Sequence, residues 1–463
     1  SPVAGAALIM RDLALIALLG AVCASCGAAA PLRQPKVVSA DADGVVRTTL
    51  TVAAARWDAG PASFMTRAYN GDVPGPTFRL SAGDTMQVRL VNDLGPDDAD
   101  YSMNEYGKPN VTNLHTHGLH VSPEAPGDDV FARVGPGMAQ DYTIELPDSH
   151  APGLHWFHAH VHGSTNLQVQ GGLVGAIVVE DDAATAPPEL LAMRDLVLVI
   201  QNVVLDASTA PDPIASIPAA EYLTGSAMSL DIEYGDAAAA RNFITVNGDH
   251  QPTLDGVAPG EWVRLRMVQA GHGPFMALHV PGCAMALLAK DGIYLDAPRD
   301  VPFVTFAPGS RRDVAVMCAA AGTYQLEAST DGDMGEAGAF GQLEGVVASI
   351  EVGGGAVSMS LPTTLPPRPR YCDDLRAATP DGAFSVNYGG GGGSYVNVAL
   401  ILVTVAAPAA VVVLNAAVWA CGLCPRPLSR GLGCCRCRRR GRCAAAADDK
   451  APATATATAA TAA

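Results

Sequence analysis

Residues 69–92 read YNGDVPGPTFRLSAGDTMQVRLVN, and residues 246–269 read VNGDHQPTLDGVAPGEWVRLRMVQ. At a constant offset of 177, Asn70-Gly71-Asp72 falls on Asn247-Gly248-Asp249. Gly83-Asp84 falls on Gly260-Glu261, and Leu90-Val91 on Met267-Val268. Each copy closes on an alternating run. Met86, Val88 and Leu90 face one way, with Gln87 and Arg89 facing the other. Val263, Leu265 and Met267 likewise alternate with Arg264 and Arg266. A period of two between glycine-bounded turns is a half-buried strand. The chain therefore reads as two tandem β domains of the sandwich kind. The likeness runs on. GLHWFHAHVHGST (153–165) meets GTYQLEASTDGDM (322–334), and both lead to an apolar closing strand, GLVGAIVVE (172–180) and LEGVVASIEV (343–352).

Composition agrees with an all-β body. Of 463 residues, 48 are Gly and 34 Pro, and only 16% are charged, which suits turn-rich sheets better than a helical bundle. The formal net charge is −17, although from Cys421 onward there are eight Lys/Arg against two Asp/Glu. The body before that tail is thus more acidic still. It will not seek nucleic acid by electrostatics, and it is compatible with metal cations.

The two copies differ where chemistry would sit. His158 meets Glu327, and His160 meets Ser329. The fold can be built without these histidines, so the first copy has them for another reason. Upstream, NLHTHGLH (113–120) supplies His115 and His117. In a strand, residues two apart share a face. The pairs His115/His117 and His158/His160 then offer four imidazoles to one locus. Neutral imidazole suits copper, zinc or iron. His250, His272 and His279 in the second copy read as structural.

These segments resemble a known family. YNGDVPGPTFRLSAGDTMQVRLVN, NLHTHGLHVSP and GLHWFHAHVHGSTNLQVQGGLVGAIVVED resemble the first cupredoxin domain of the multicopper oxidases (laccase-like enzymes), and GDHQPTLDGVAPGEWVRLRMVQA and LLAKDGIYLDAP the second. The likeness covers roughly residues 45–352. It implies two tandem cupredoxin-like Greek-key sandwiches and copper as cofactor. It implies His115 as a type-2 ligand and His117, His158 and His160 as type-3 ligands of a cluster that reduces dioxygen with electrons from a small donor. His120, His150 and His162 become candidates for orienting ligand rings by hydrogen bonds. His155 takes a place usually aromatic in the family, which implies packing.

The family's last domain carries His-X-X-His-X-His and a later His-Cys-His. Neither occurs in this sequence, and no histidine follows Val352. Ala159 stands where small two-domain members place the Cys. The site as written therefore has no thiolate to bring electrons in. Three readings stay open: an oxidase whose remaining ligands come from an unpredicted exon or a partner chain, a protein that holds copper without turnover, and a structural ectodomain with a relic site.

The ends carry their own signals. Met10 opens MRDLALIALLGAVCASCGAAA, read within an N-terminal extension and signal peptide (1–30) cleaved near Ala29. A buried N-terminal helix is the alternative. Val398–Ala420 is a 23-residue apolar run, long enough to cross a bilayer. Seven Arg follow it, marking a cytoplasmic side. The expected order is then a first cupredoxin domain (37–182), a second (183–352), a Pro/Gly-rich linker or truncated third domain (353–394), one transmembrane helix (395–421) and an Arg/Cys-rich cytoplasmic tail (422–463). That is a single-pass type I membrane protein with an extracellular or luminal body. Cysteines 421, 424, 434, 435, 437 and 443 lie beside this basic tail, which suggests palmitoylation. Cys283, Cys318 and Cys372 remain in the body and allow at most one pair. The sequon Asn110-Val111-Thr112 permits glycosylation.

FSVNYG (384–389) echoes ITVNGD (244–249), where the second copy began. A third repeat thus starts and gives way to Gly389–Gly393, through replacement by a short stalk or through a skipped exon. A full-length transcript read through those codons separates the two. A further domain with His-X-X-His-X-His and His-Cys-His is expected from the second; a direct run into the apolar segment is expected from the first.

Overall fold

The computed structural model describes residues 30–61, 63–96, 110–205, 241–271, 275–331, 343–369 and 371, and the strand backbone of 382–389 and 395–402. The first nine strands are β1 (Val37–Ser39), β2 (Val45–Asp58), β3 (Ser63–Tyr69), β4 (Thr77–Leu80), β5 (Thr85–Asn92), β6 (His115–His117), β7 (Ala139–Glu145), β8 (Gly153–His158) and β9 (Val174–Val179). They form a sheet ordered β1-β4-β9-β8-β6 and another ordered β3-β2-β5-β7. Val46, Leu50, Met86, Phe157 and Ile177 share one buried cluster, so the core lies where the two sheets face each other. A short helix α1 (Thr165–Gln170) joins β8 to β9, and α2 (Pro188–Leu191) follows β9.

The second sandwich repeats this plan. Its strands are β10 (Arg194–Leu205), β11 (Arg241–Val246), β12 (Asp249–His250), β13 (Thr253–Val257), β14 (Val263–Gln269), β15 (Met276–His279), β16 (Ala284–Lys290), β17 (Ile293–Asp300), β18 (Val304–Phe306), β19 (Arg311–Met317), β20 (Gly322–Ala328) and β21 (Gly345–Val352). They build a sheet ordered β12-β11-β10-β14-β19-β16-β17 and another ordered β13-β21-β20-β15-β18. The repeat seen in sequence is a repeat in register. β2 runs parallel to β5 as β10 runs parallel to β14. β8 pairs antiparallel with β9 as β20 does with β21.

The Asn-Gly-Asp corners show why the motif recurs. Asn70 has φ 54° and Asn247 has φ 52°, a left-handed turn that Asn tolerates better than most residues. Asn70 Oδ1 accepts the Thr51 N–H at 2.8 Å, and Asn247 Oδ1 accepts the Val199 N–H at 2.8 Å. Each side chain ties its corner to the strand beside it.

One expectation needs correction. β14 is not half-buried; all seven of its residues are buried. Its arginine face meets the first sandwich and the chain leaving it, not water. Arg264 reaches Asp181 and Asp313, each at 2.6 Å. Arg266 reaches Asp195 at 2.8 Å and Asp181 at 3.0 Å. The Tyr294 hydroxyl donates to Asp181 at 2.5 Å. Burial opposes the charge on Asp181, yet the adjacent Arg264 and Arg266 hold its carboxyl below the usual range. A strand between two sandwiches has no solvent face, so its polar alternation became a buried ion network.

Apolar contacts join the sandwiches as well. Leu154 and Trp156 of β8 cluster with Val197, Val199 and Val268 of the second sandwich. Fully burying each such aliphatic side chain stabilises by about 1.5–3 kcal/mol. A Cβ on Gly153 would lie 2.3 Å from the Gly292 carbonyl oxygen, so the backbones themselves touch there.

Cys283 and Cys318 form a disulfide, which settles the pairing; Cys372 lies outside the described residues. Asn110 is buried and accepts two hydrogen bonds from Arg67 at 2.7 and 3.0 Å, so the sequon is closed to a glycan in the folded chain. Most of the expected membrane helix lies outside the described residues. Its first residues lie in a strand, β23 (Tyr395–Leu402), which pairs antiparallel with β22 (Gly382–Gly389). Among the described residues no helix is long and apolar enough to cross a membrane. The rest of the apolar run, the signal segment and the basic tail lie outside the described residues.

Removing one partner of a buried ion network strands the others. Asp181→Ala should therefore cost about 3–5 kcal/mol in urea unfolding. A loss below about 1 kcal/mol, the range of exposed pairs, would show that the network does not hold the sandwiches.

Candidate metal centre

The histidines converge because an edge strand is laid on a buried one. β6 pairs antiparallel with β8, placing His115 opposite His158 and His117 opposite Trp156. His115 and His117 share a face of β6, as their spacing requires. One nitrogen from each of His115, His117 and His158 falls within 4.8 Å of the others. β8 ends at His158, and Ala159 is buried, so His160 leaves the strand. Its ring still lies 4.9 Å from that of His115 and 5.6 Å from that of His158, centre to centre. Three of the four expected residues thus form one tight donor group, with the fourth alongside.

Their orientation is fixed by groups that the sequence did not single out. Asp128 Oδ1 lies 3.1 Å from His115 Nδ1 and accepts the Thr116 N–H at 2.9 Å. Asp128 Oδ2 accepts the Thr116 hydroxyl at 2.9 Å. The Ala159 carbonyl accepts from His158 Nδ1 at 2.9 Å, which leaves His158 Nε2 as the free donor atom. That Nε2 lies 3.4 Å from His117 Nδ1. Asn113 Oδ1 accepts the His160 N–H at 2.6 Å. Trp156 stacks on His117 at 4.9 Å and on His158 at 4.2 Å, so one indole backs two of the rings. Asp128 stands eleven residues beyond His117 in a loop, where no local pattern marks it.

Burial and electrostatics keep three of these rings neutral. Burial, helped by Arg311 and the neighbouring imidazoles, lowers the His117 pKa to about 3. Burial holds His158 well below its ordinary value and also lowers His160. A neutral imidazole keeps a lone pair, which is the form that ligates a metal. Converging imidazoles, two of them anchored through Nδ1, fit a borderline cation such as copper and suit a hard, oxygen-seeking one poorly.

The other histidines sort themselves out. His150 Nε2 accepts the His120 backbone N–H at 3.0 Å, and its Nδ1 meets the Ala151 carbonyl at 2.8 Å. His120 stacks on Tyr371 at 4.4 Å. His120 and His150 thus brace the loops beside the site, and neither supplies the anchors found on His115 and His158. His162 is exposed. His155 is buried, as its usually aromatic place implied, and neither ring nitrogen has a partner among the described residues. In the second sandwich, His279 lies opposite Glu327, the register that His115 and His158 occupy in the first. His250 bonds to the Ile244 carbonyl at 2.9 Å, and His272 lies outside the described residues.

Two facing sheets in each sandwich, with imidazoles gathered on one of them, define a cupredoxin-like β protein with a metal-type histidine centre. Residues 52–184 match the family profile described as multicopper oxidase. Over these residues the chain is similar to multicopper oxidases, a family whose metal is copper. A multicopper oxidase of Mycobacterium tuberculosis is 26% identical over 62% of this chain and 54% of its own length. A cell division protein of Salmonella typhimurium is 29% identical over 53% of this chain and 45% of its own length. The chain therefore spans about half the length of the curated relatives it matches. A laccase crystal structure from Pediococcus acidilactici superposes with a TM-score of 0.56 at 20% identity, covering 76% of this chain and 68% of that one. It shows the likeness of fold.

The buried neutral imidazoles set the acid response. Unfolded, each takes a proton near its ordinary pKa of 6.5; folded, His117 does so only near 3, and His155 and His158 also titrate lower. Below about pH 6.5 the unfolded state thus binds more protons, and stability falls as pH falls. Each group contributes about 1.4 kcal/mol per pH unit between its two values. The urea midpoint of the metal-free protein should drop between pH 7 and 5, and His155→Phe should remove part of that slope. A midpoint flat across this range would refute the assignment.

Proposed function

We propose that this chain holds copper at His115, His117 and His158, with His160 beside them, and serves the oxidation of a small donor coupled to dioxygen reduction. The convergence of imidazoles, two of them anchored through Nδ1, in a multicopper oxidase domain carries the reading. Copper, when bound, supplies the electron transfer and the binding of dioxygen. The protein's own residues do the rest. Asp128 and the Ala159 carbonyl fix which nitrogen each ring presents. Trp156 keeps water from one side of the rings. The acidic body favours a cation. The disulfide Cys283–Cys318 supports an extracellular or luminal setting.

A second reading is copper holding without turnover. It is favoured by Ala159, which stands between His158 and His160 where a thiolate would serve electron transfer, and by the commitment of Cys283 and Cys318 to each other.

The variant His115→Ala plus His158→Ala should abolish copper uptake and leave the circular dichroism unchanged, because the second sandwich builds the same sheet without these residues. Undiminished copper per chain in that variant would refute the site. Oxygen uptake by the copper-loaded chain with a phenolic donor or ferrous iron decides between the readings: uptake supports the oxidase, and none supports holding alone.

A further inference from the structure

The second sandwich puts a buried cation against the strand that carries the ligands. Arg311 opens β19 and is 5% exposed. Its guanidinium donates to the Gly309 and Asp291 carbonyls at 3.1 and 3.0 Å, while Nε is buried without a partner among the described residues. Gly118 directly follows His117, and a Cβ there would lie 2.3 Å from Arg311 Nη2. The guanidinium therefore rests on the backbone of the ligand strand, in room that only glycine leaves. The Gly309 turn beside it backs the His117 ring, where an added Cβ would come within 3.1 Å of Cε1.

The charge of Arg311 is poorly cancelled. Its nearest carboxylate, on Asp291, is 3.8 Å away and half-exposed. Arg312 shares that carboxylate at 3.3 Å. His155, also packed on Gly118, stays neutral. Asp128 anchors the opposite side of the site, at His115. The histidines thus lie between one carboxylate and one under-neutralised guanidinium. Arg311 already disfavours a proton on His117. The same field acts on a metal charge, and more strongly on two units than on one.

We propose that Arg311 is a positioning residue that acts through His117 and tunes the charge preference of the centre, favouring Cu(I) over Cu(II). The proposal rests on the copper reading above. Nothing in the repeat marks it, because Arg311 belongs to the copy without ligands.

The test uses the full chain loaded with copper, with Cu(I) and Cu(II) affinities measured by chelator competition and the midpoint potential by redox titration. Arg311→Met should raise the Cu(II):Cu(I) affinity ratio by about tenfold and lower the potential, as expected for removing one nearby, partly screened charge. Arg311→Lys should restore both. Asp291→Asn keeps an acceptor for the Arg311 N–H, removes the half-exposed counter-charge and should move both quantities the other way. That opposite shift keeps the proposal testable even where Arg311→Met fails to fold. Equal shifts in Met and Lys variants would show packing and overturn it. Copper bound with an unmoved ratio in every variant would overturn it and leave the copper reading standing. A wild-type chain that takes up no copper would overturn both.

Discussion

β6 is three residues long and lies at the edge of its sheet, yet its register on β8 places three of the four histidines. His115 sits opposite His158 because Thr116 sits opposite Phe157, whose ring fills the sandwich core. A slip of one residue would turn His115 and His117 into the core and Thr116 out of it. Asp128 guards against that slip. It holds both the backbone and the hydroxyl of Thr116 while it anchors the neighbouring imidazole. The same carboxylate therefore fixes a strand and orients a ligand. Asn113 plays a similar part for His160, bridging from its N–H to the Val130 carbonyl.

The second sandwich has the same sheets and no ligand group, but it is not an idle copy. Its Gly292 and Gly309 turns and its Arg311 close one side of the histidine centre. The fit needs glycine on both sides, at Gly118 and Gly153 in the first sandwich and at Gly292 in the second. Close backbone approach leaves no room for water, so rings at the junction lose solvation and stay neutral. Burial of that kind costs stability in the metal-free state, and a bound cation recovers the lost interactions. The ion network of Arg264, Arg266, Asp181, Asp195 and Asp313 holds the sandwiches near enough for this to work.

Beyond β21 the chain lies against this paired body. Val357 donates its N–H to the Pro259 carbonyl and Leu365 to that of Asp296. Tyr371 then takes the Ala151 N–H at 3.1 Å and stacks on His120. The segment leaving the second sandwich thus returns to the first, on the loops that flank the histidines.

The sequence by itself determined the sheets, their duplication and the residue types of the site. Alternation of period two, the Asn-Gly-Asp corners and the two His-X-His pairs are local signals, and local backbone preference enforces them at Asn70 and Asn247 alike. Tertiary structure decided everything that depends on what faces a residue. Arg264 and Arg266 alternate like solvent-facing residues, yet they point into a neighbour that only the folded chain supplies. Asp128, Trp156 and Arg311 reach the histidines from a loop, from the buried strand and from another sandwich, so no spacing along the chain could mark them. The run from Val398 has the hydropathy of a membrane span, but its first residues find a strand partner in 382–389. Hydropathy reports only that a segment avoids water; which backbone its first residues pair with is decided by the strand just before it in the chain.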